Sequence, residues 1–507
     1  MNNYLGLILT GHVPYLRAAG RHPDGEDALH ETIAQSIVPL LNILFDFREL
    51  GLRPAVALAY SPILLEQLGD IVVQKHFVLW MEQWLDRVAW QQAHWDEQRE
   101  EHHGYLARFY LDWGQGILRS FVGRYNRNLV AALRELCADG TLEPLAGVAT
   151  HAYLPLLGRS ESLRMQFDIG TLNIMRHLGR WPRGLWLPEC GYRPEFEQQI
   201  LSTGARYFIA DPTSVASGST ITHLRPRWVT PRRLAVLQRD AGASAQIWSE
   251  ELGYPGDPLY RALRREPHSG LALWRNGIDG AAEQLYDPYD AFKRAQEHAS
   301  HFSAYITAEM EAFLARADHP GIAIIPLDAE LLGRRWFEGP TWLRALLEEF
   351  VGHPTITLTT PSAYLRAYRP RQAATLRDGS WGQAGDHRAW SGRAALPLLQ
   401  AIQEAEERMA LLVRRFPNAQ GHRERILAQA LRELLLAQSS DWLLLLTQGA
   451  NDEALRRPLL HLERCGQLCV LAELAQLSEQ DLAFLEQVEE LDNPFPDLNY
   501  RVFVGGS

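Results

Sequence analysis

Five polar side chains able to move protons or attack an electrophile, His12, His151, Glu189, Asp211 and Asp328, each stand just after a separate apolar run. Glu189 lies in the stretch GLWLPECGYRP of residues 184–194. There an apolar run of strand character stops at Pro188, the acid follows, and a helix-like segment opens after Arg193 and Pro194. A side chain at the carboxyl end of a buried parallel strand points into the mouth of an α/β barrel or sheet, where catalytic groups collect. One such acid can equally cap the next helix or answer an arginine. Five strand ends converging on one face are harder to assign to a solvated rim. Two carboxylates, two imidazoles and several tryptophans around one mouth suit chemistry at a glycosidic bond. One carboxylate attacks the anomeric carbon while a protonated acid assists the leaving oxygen, and the covalent intermediate passes to water or to a sugar hydroxyl. There is no glycine-rich phosphate loop and no convincing metal cluster, and this chemistry calls for no metal or organic cofactor.

The elements that must position these groups alternate. Residues 4–9 read as a buried strand, 31–50 as an amphipathic helix with Ile33, Ile37, Leu40, Leu41 and Leu44 at helical spacing, and 54–59 as a second strand. Residues 61–139 carry helical patterns only. Strand patterns return at 145–150, at the Glu189 stretch, at 207–210, at 321–325 and at 355–359, with helical patterns at 161–178 and 288–316 between them. Residues 212–285 are rich in Gly, Pro and Arg and read as elaborated loops. Short apolar strands alternating with helices specify a parallel α/β architecture, and about seven of them suggest a closed or nearly closed barrel. From about residue 369 the composition changes, and four helices are expected at 396–416, 422–447, 451–474 and 478–488. The expected organisation is a catalytic unit at 1–368, with a mainly helical insertion at 61–139 and the loops of 212–285, followed by a helical domain at 369–507 that contributes to the cleft.

Composition narrows the partners. The chain has 507 residues, 46% hydrophobic, enough for a large core. A net charge of -11 and a pI near 5.9 argue against wholesale binding to nucleic acid or anionic membranes, both of which reward a basic surface. A neutral polyol is indifferent to that charge, and 15 Trp and 17 Tyr supply flat faces suited to sugar rings as well as to a core. Four scattered cysteines make no disulfide framework, and Cys465 and Cys469, one helical turn apart, have no second pair at zinc spacing. The amino-terminal apolar run is too short for a signal peptide or a membrane span, so a cytoplasmic protein is expected. Oligomeric state is not legible.

The stretch at residues 184–194 resembles the nucleophile motif of glycoside hydrolase family 57, and residues 326–340, PLDAELLGRRWFEGP, resemble its acid/base motif. His12-Val13-Pro14 is similar to the first motif of the family. Ala149-Thr150-His151 with Tyr153 to Leu157 is similar to the second, and residues 253–258, GYPGDP, resemble a segment of its branching-enzyme subgroup. Trp381, Trp390 and the run Ser440-Asp441-Trp442 resemble that subgroup's carboxy-terminal pattern. The resemblance implies an incomplete (β/α)7 barrel with a helical insertion and a C-terminal all-helical domain, acting on α-1,4-glucans with retention. It implies Glu189 as nucleophile and Asp328 as general acid/base. His12 and His151 would bind the sugar before the scissile bond, a role that suits neutral imidazoles. Trp248, Trp381 and Trp390 would stack on sugar rings and shield the intermediate, with packing between domains as the competing role, while Asp441 would reach in from the helical domain. Arg164, Arg193 and Arg261 are possible partners of the carboxylates.

Departures from the family pattern fall at Thr10, where His is usual, at Arg334 and Arg335, where His and Trp are usual, and after Asp211. There a longer tyrosine-bearing loop is usual, and here Arg227 to Pro231 runs straight on toward Leu237. A shorter cover leaves a glycosyl-enzyme more open to water, and access decides between water and an acceptor hydroxyl. A 1,4-α-glucan branching activity is therefore expected first, an amylase-type hydrolase on the same scaffold second, and a non-catalytic glucan-binding relative third.

Overall fold

The structure is a computed structural model, and it describes residues 2–17, 19–20, 25–215, 222–230, 233–249, 253–277, 282–449 and 452–503. Nine strands form one sheet: β1 (Asn3–Gly11), β2 (Val56–Tyr60), β3 (Leu142–Ala146), β4 (Gly184–Trp186), β5 (Tyr207–Ala210), β6 (Arg227–Thr230), β7 (Leu234–Gln238), β8 (Ile322–Asp328) and β9 (Ile356–Leu358). Their order is β6-β7-β5-β4-β3-β2-β1-β8, with β9 also on β1. Every pairing is parallel except that of β6 with β7. Parallel neighbours need long crossovers, and helices supply them. β2 pairs with the carboxyl half of β1 (Ile8↔Ala57 to Gly11↔Tyr60), and β9 with its amino half (Asn3↔Ile356 to Leu5↔Leu358). Beyond β7, Arg239 bridges in parallel to Ile324 of β8, and the Asp240 amide donates to the Ile324 carbonyl at 2.7 Å. The two ends of the parallel run therefore touch.

Side-chain alternation explains the layers. On β1, Leu5, Leu7 and Leu9 join the core under the helices, while Ile8 faces the other way. It belongs to one cluster with Ala57, Leu145, Trp186, Ile209, Leu237 and Ile324, one from each of the other six strands of the run β7-β5-β4-β3-β2-β1-β8. Both faces of these strands are covered, so they read as continuous apolar runs.

The strand after residue 141 lies earlier than the sequence suggests, at Leu142–Ala146. Its expected second half turns away at Gly147, where the helix Ser160–Leu178 lies against the backbone. His151 thus follows four residues of irregular chain. Residues 212–285 are not only loops: β6, β7 and the helix Ala241–Trp248 lie there, and β7 is an interior strand. Its five residues are bounded by arginines and too short to stand out in a polar context. Helix Glu26–Thr32 runs through a π turn, Ile33–Ile37, into Val38–Glu49; it is apolar enough to cross a bilayer, but its inward residues are core. The long helices Ile71–Gln98 and Glu101–Arg119 pack on one another between β2 and β3.

After residue 368 every described element is helical: Leu396–Arg415, His422–Ala437, Ser440–Thr447, Asp452–Glu473, Glu479–Leu491 and a last 3-10 turn. The single helix expected at 422–447 breaks at Gln438 and Ser439. Gln438 is drawn to Glu406 (2.8 Å) and Gln166 (2.8 Å), and Ser439 bridges to Ala152. Tertiary hydrogen bonds here outweigh helix continuity. All four cysteines are buried and unpaired by disulfide.

Backbone packs closely on backbone at Gly170, where an added Cβ would lie 2.2 Å from the Gly147 carbonyl oxygen. Backbone cannot yield as a side chain can. Gly170→Ala is expected to destabilise the fold by about 1–3 kcal/mol, the usual cost of overpacking. A denaturant midpoint equal to the parent's would contradict this packing.

Candidate active site

A cavity of about 980 Å³ opens at the carboxyl ends of the parallel strands. It is lined by His12, His151, Glu189, Trp248, Asp328, Trp381 and Asp441, seven of the eight residues expected at the site, together with Thr10, Trp186, Arg239, Glu330, Arg335 and Gln383. Asp328 is the last residue of β8 and lies level with Thr10 of β1. Glu189 follows β4 inside a tight 3-10 turn, Pro188–Cys190, in left-handed conformation (φ 58°, ψ 19°), and Cys190 after it also has positive φ. Non-glycine residues held there are strained and persist only where their surroundings over-determine them. The chain from Gly379 to Trp381 does this: Tyr192 and Gly379 exchange backbone hydrogen bonds, and the Trp381 amide donates to the Glu189 carbonyl at 3.1 Å.

The Glu189 carboxylate accepts a hydrogen bond of 2.6 Å from the Trp381 indole N–H. Burial pushes its pKa up to about 7 against that bond, and the charges of Asp441 and Asp328 add to the push. Burial, and then the Glu330 carboxylate, likewise raise Asp328 to about 7, while Oδ1 accepts from the Glu330 amide at 2.7 Å. Two carboxyl groups so placed do not both ionise easily near neutral pH. One ionised and one protonated is the state that a double displacement needs.

His12 places Nε2 at 2.7 Å from Asp441 Oδ2 and Nδ1 at 2.9 Å from Ser61 Oγ. Burial disfavours charge on this ring, but the attraction and hydrogen bond of Asp441 outweigh it, and the pKa is raised. Asp441 in turn is held below the usual carboxylate range by His12 despite its own burial. The His151 ring stacks on His12 (4.1 Å between centroids, 11° between planes) and bonds Ser440 Oγ at 3.0 Å. Burial and the neighbouring His12 charge lower its pKa well below the ordinary value. The two stacked imidazoles are thus pushed in opposite directions, His12 toward the protonated form by its carboxylate and His151 toward the neutral one.

Trp381 meets Trp248 (5.4 Å) and Trp186 (5.5 Å), forming an aromatic wall beside Glu189, and the Trp248 indole donates to the Pro326 carbonyl. Trp390 is a correction. It is 2% exposed, stacks on Tyr153 at 4.1 Å, and lies among Leu398, Ile402 and Trp442 behind the wall, so it is packing and does not line the cavity. Asp211 is another: it is buried, pairs with Arg239 at 2.6 Å and caps the turn at Thr213. Its partner Arg239 reaches the cavity instead, 6.0 Å from the Trp381 ring centre.

Arg193 pairs with Glu195 and Asp378, and Arg261 bonds Gln35 and covers Phe337, so neither serves the carboxylates. Of the two departing arginines, Arg335 lines the cavity, while Arg334 turns to Glu330 and Glu31. The GYPGDP stretch packs under the site: Tyr254 is buried against His298 and His301, and Asp257 pairs with Arg294. The loop that the sequence marks as shortened includes residues 216–221 and 231–232, outside the described residues. Sequence reasoning gave no site role to Glu330, Arg239, Gln383, Ser61 or Ser440. Glu330 carried a signal, two residues after Asp328, and Ser440 lies in the run Ser440-Asp441-Trp442 singled out for Asp441. Among the described residues two His/carboxylate groups could hold a metal ion, His223-Asp240-Glu309 and Glu433-His461-Asp492, and neither lines this cavity.

Comparison with known proteins bears on this geometry. The family description "Glycosyl hydrolase family 57" matches residues 7–377, and "1,4-alpha-glucan branching enzyme, C-terminal" matches residues 401–503. The chain is 33% identical to a 1,4-alpha-glucan branching enzyme of Thermococcus kodakarensis, over 98% of this chain and 78% of that relative. Its fold is similar to the crystal structure of a branching enzyme of the same family from Pyrococcus horikoshii (TM-score 0.93, 32% identity, 100% of this chain and 98% of that one). It is also similar to the alpha-amylase AmyC of Thermotoga maritima (TM-score 0.89, 27% identity, all of both chains). With a match spanning most of its length and a strand-end carboxylate pair in one cavity, this chain belongs to glycosyl hydrolase family 57.

Proposed function

We propose that this protein is a retaining 1,4-α-glucan branching enzyme. The observation that carries the reading is the presence of Glu189 and Asp328 in one cavity, both with proton affinities raised to about 7, in a chain that matches a branching enzyme over 98% of its length. The sheet that holds them is read as an incomplete (β/α)7 barrel, supported by the run of parallel strands and by the contact of Arg239 with Ile324. Residues 369–507 are read as a C-terminal helical domain whose Asp441 completes the cleft, and 61–139 as a helical insertion.

In this reading the ionised Glu189 attacks the anomeric carbon as Asp328 gives its proton to the glycosidic oxygen. The α-1,4 bond breaks and a glycosyl ester forms on Glu189. Asp328, now a carboxylate, takes the proton of a glucan 6-hydroxyl, whose oxygen displaces Glu189 and makes the α-1,6 link. The Trp381 N–H steadies the Glu189 oxygen. His12 and His151 face the sugar at the broken bond with opposite hydrogen-bonding character, one donor-only and one able to accept. The alternative reading, hydrolysis by water, is favoured by the likeness to an alpha-amylase and by the short stretch after Asp211.

Amylose separates the two. Branching predicts loss of iodine colour with new α-1,6 links, released by a debranching enzyme, and few new reducing ends; a steady rise in reducing ends without such links means hydrolysis. Glu189→Gln is expected to abolish turnover of both amylose and an α-maltosyl fluoride donor. Asp328→Asn should lose about 10²–10⁴-fold on amylose but keep bond cleavage with the fluoride, whose leaving group needs no proton. Equal losses on the two donors would deny Asp328 its assigned part. The pH profile of kcat/KM should be a narrow bell. The rate rises as Glu189 loses its proton on approaching about 7 and falls above that as Asp328 loses its own, the two apparent values belonging to the pair. A plateau extending to pH 9 would contradict the protonation assigned to Asp328.

A further inference from the structure

We propose that His223, Asp240 and Glu309 form a binding site for one divalent transition-metal ion of the zinc class. His223 comes from the 3-10 turn before β6, Asp240 from the end of β7 at its contact with β8, and Glu309 from the helix Pro288–Leu314. Each offers one ligand atom, and all these atoms lie within 4.8 Å of one another. His223 Nε2 stands 3.4 Å from Asp240 Oδ2 and 3.2 Å from Glu309 Oε1. Charge-assisted hydrogen bonds between such groups are usually shorter, about 2.7–2.9 Å. Metal bonds of about 2.0–2.2 Å in a tetrahedral site set ligand atoms about 3.3–3.5 Å apart, close to the two separations measured from His223 Nε2.

A second observation points the same way. His223 Nε2, Asp240 Oδ2 and Glu309 Oε2 are buried and find no well-formed hydrogen bond, only the long ion-pair contacts within the triad itself, and the Asp240 side chain is only 2% exposed. Buried polar atoms in that state are rare and call for a ligand. The side chains of His223 and Glu309 are 20% and 26% exposed, so an ion has a way in and water can fill its remaining position. The other His/carboxylate group differs on each count. There Glu433 Oε2 meets His461 Nδ1 at 2.7 Å, and Arg464 already bonds Asp492, so the pairs are satisfied and a cation is repelled.

The ion has a structural consequence. Asp240 Oδ1 caps the helix Ala241–Trp248, four of whose residues, Trp248 included, line the cavity, and the Asp240 amide binds the Ile324 carbonyl. A metal on Oδ2 ties that helix, the β7–β8 contact and the chain before β6 to one point. The site uses no residue of the Glu189–Asp328 cavity, so its existence does not depend on the function proposed above. Three protein ligands of this kind suit Zn²⁺, and Co²⁺ is a spectroscopic substitute for it.

The full-length protein, stripped with chelator, is titrated with Co²⁺ and read by visible d–d absorption and by thermal unfolding. One equivalent giving tetrahedral-type absorption and a raised Tm is expected. Glu309→Gln and His223→Asn, checked for folding by circular dichroism, should each weaken binding at least tenfold, while His461→Gln leaves it unchanged. No Co²⁺ absorption in the parent protein, or the same affinity in both variants, overturns the site and leaves the triad a histidinium held by two carboxylates.

Discussion

His12, one residue beyond the first strand, and Asp441, in the first turn of a helix 429 residues later, share a hydrogen bond of 2.7 Å. The cavity between the sheet and the carboxy-terminal helices has its form because these two groups must meet. A carboxylate at that depth is costly unless a cation answers it, and an imidazolium beside it is costly without the carboxylate. Each therefore fixes the protonation of the other, and the pair holds the two halves of the chain in register. Ser61 on the far side of the ring and Ser439 beside Asp441 complete the hydrogen bonding.

That pair also sets the field in which the two acids sit. Asp441 makes a negative charge on Glu189 harder to form, and His12 partly relieves it. Burial and the neighbouring His12 push His151 toward its neutral form, which offers the cavity an acceptor beside His12. Glu330 acts on Asp328 in the same sense, and Arg334 neutralises the outward side of Glu330. The result is an environment that favours one proton on two carboxyl groups, the condition for acid and nucleophile to coexist near neutrality.

The fate of a glycosyl group held on Glu189 depends on access more than on charge. The wall of Trp186, Trp248 and Trp381 covers one side of Glu189 with apolar surface, and the Trp381 indole holds the attacking oxygen in place. Such a wall both stacks on sugar and excludes water. Arg239, paired with the buried Asp211 and near the Trp381 ring, and Arg335 make part of the lining cationic. A neutral glucan meets these as hydrogen-bond donors.

Much of this was legible in the amino-acid sequence because it is local. Apolar runs ending in a polar residue mark parallel strands and their active ends, and they led to Glu189, Asp328, His12 and His151 without coordinates. Helical periodicity likewise marked the crossovers and the carboxy-terminal helices. The interior strand Leu234–Gln238 escaped notice because four apolar residues and a glutamine between arginines acquire meaning only from the neighbours they pair with. Trp390 and Trp381 look alike in a sequence; Tyr153 stacked over one and Glu189 bonded to the other separate them. The raised proton affinity of His12 was equally out of reach, since it comes from an acid more than four hundred residues away. Residue type and spacing determine which groups can do chemistry and which strand ends carry them. Protonation, exposure and the break at Gln438 are properties of contacts between distant segments, and only the folded chain decides them.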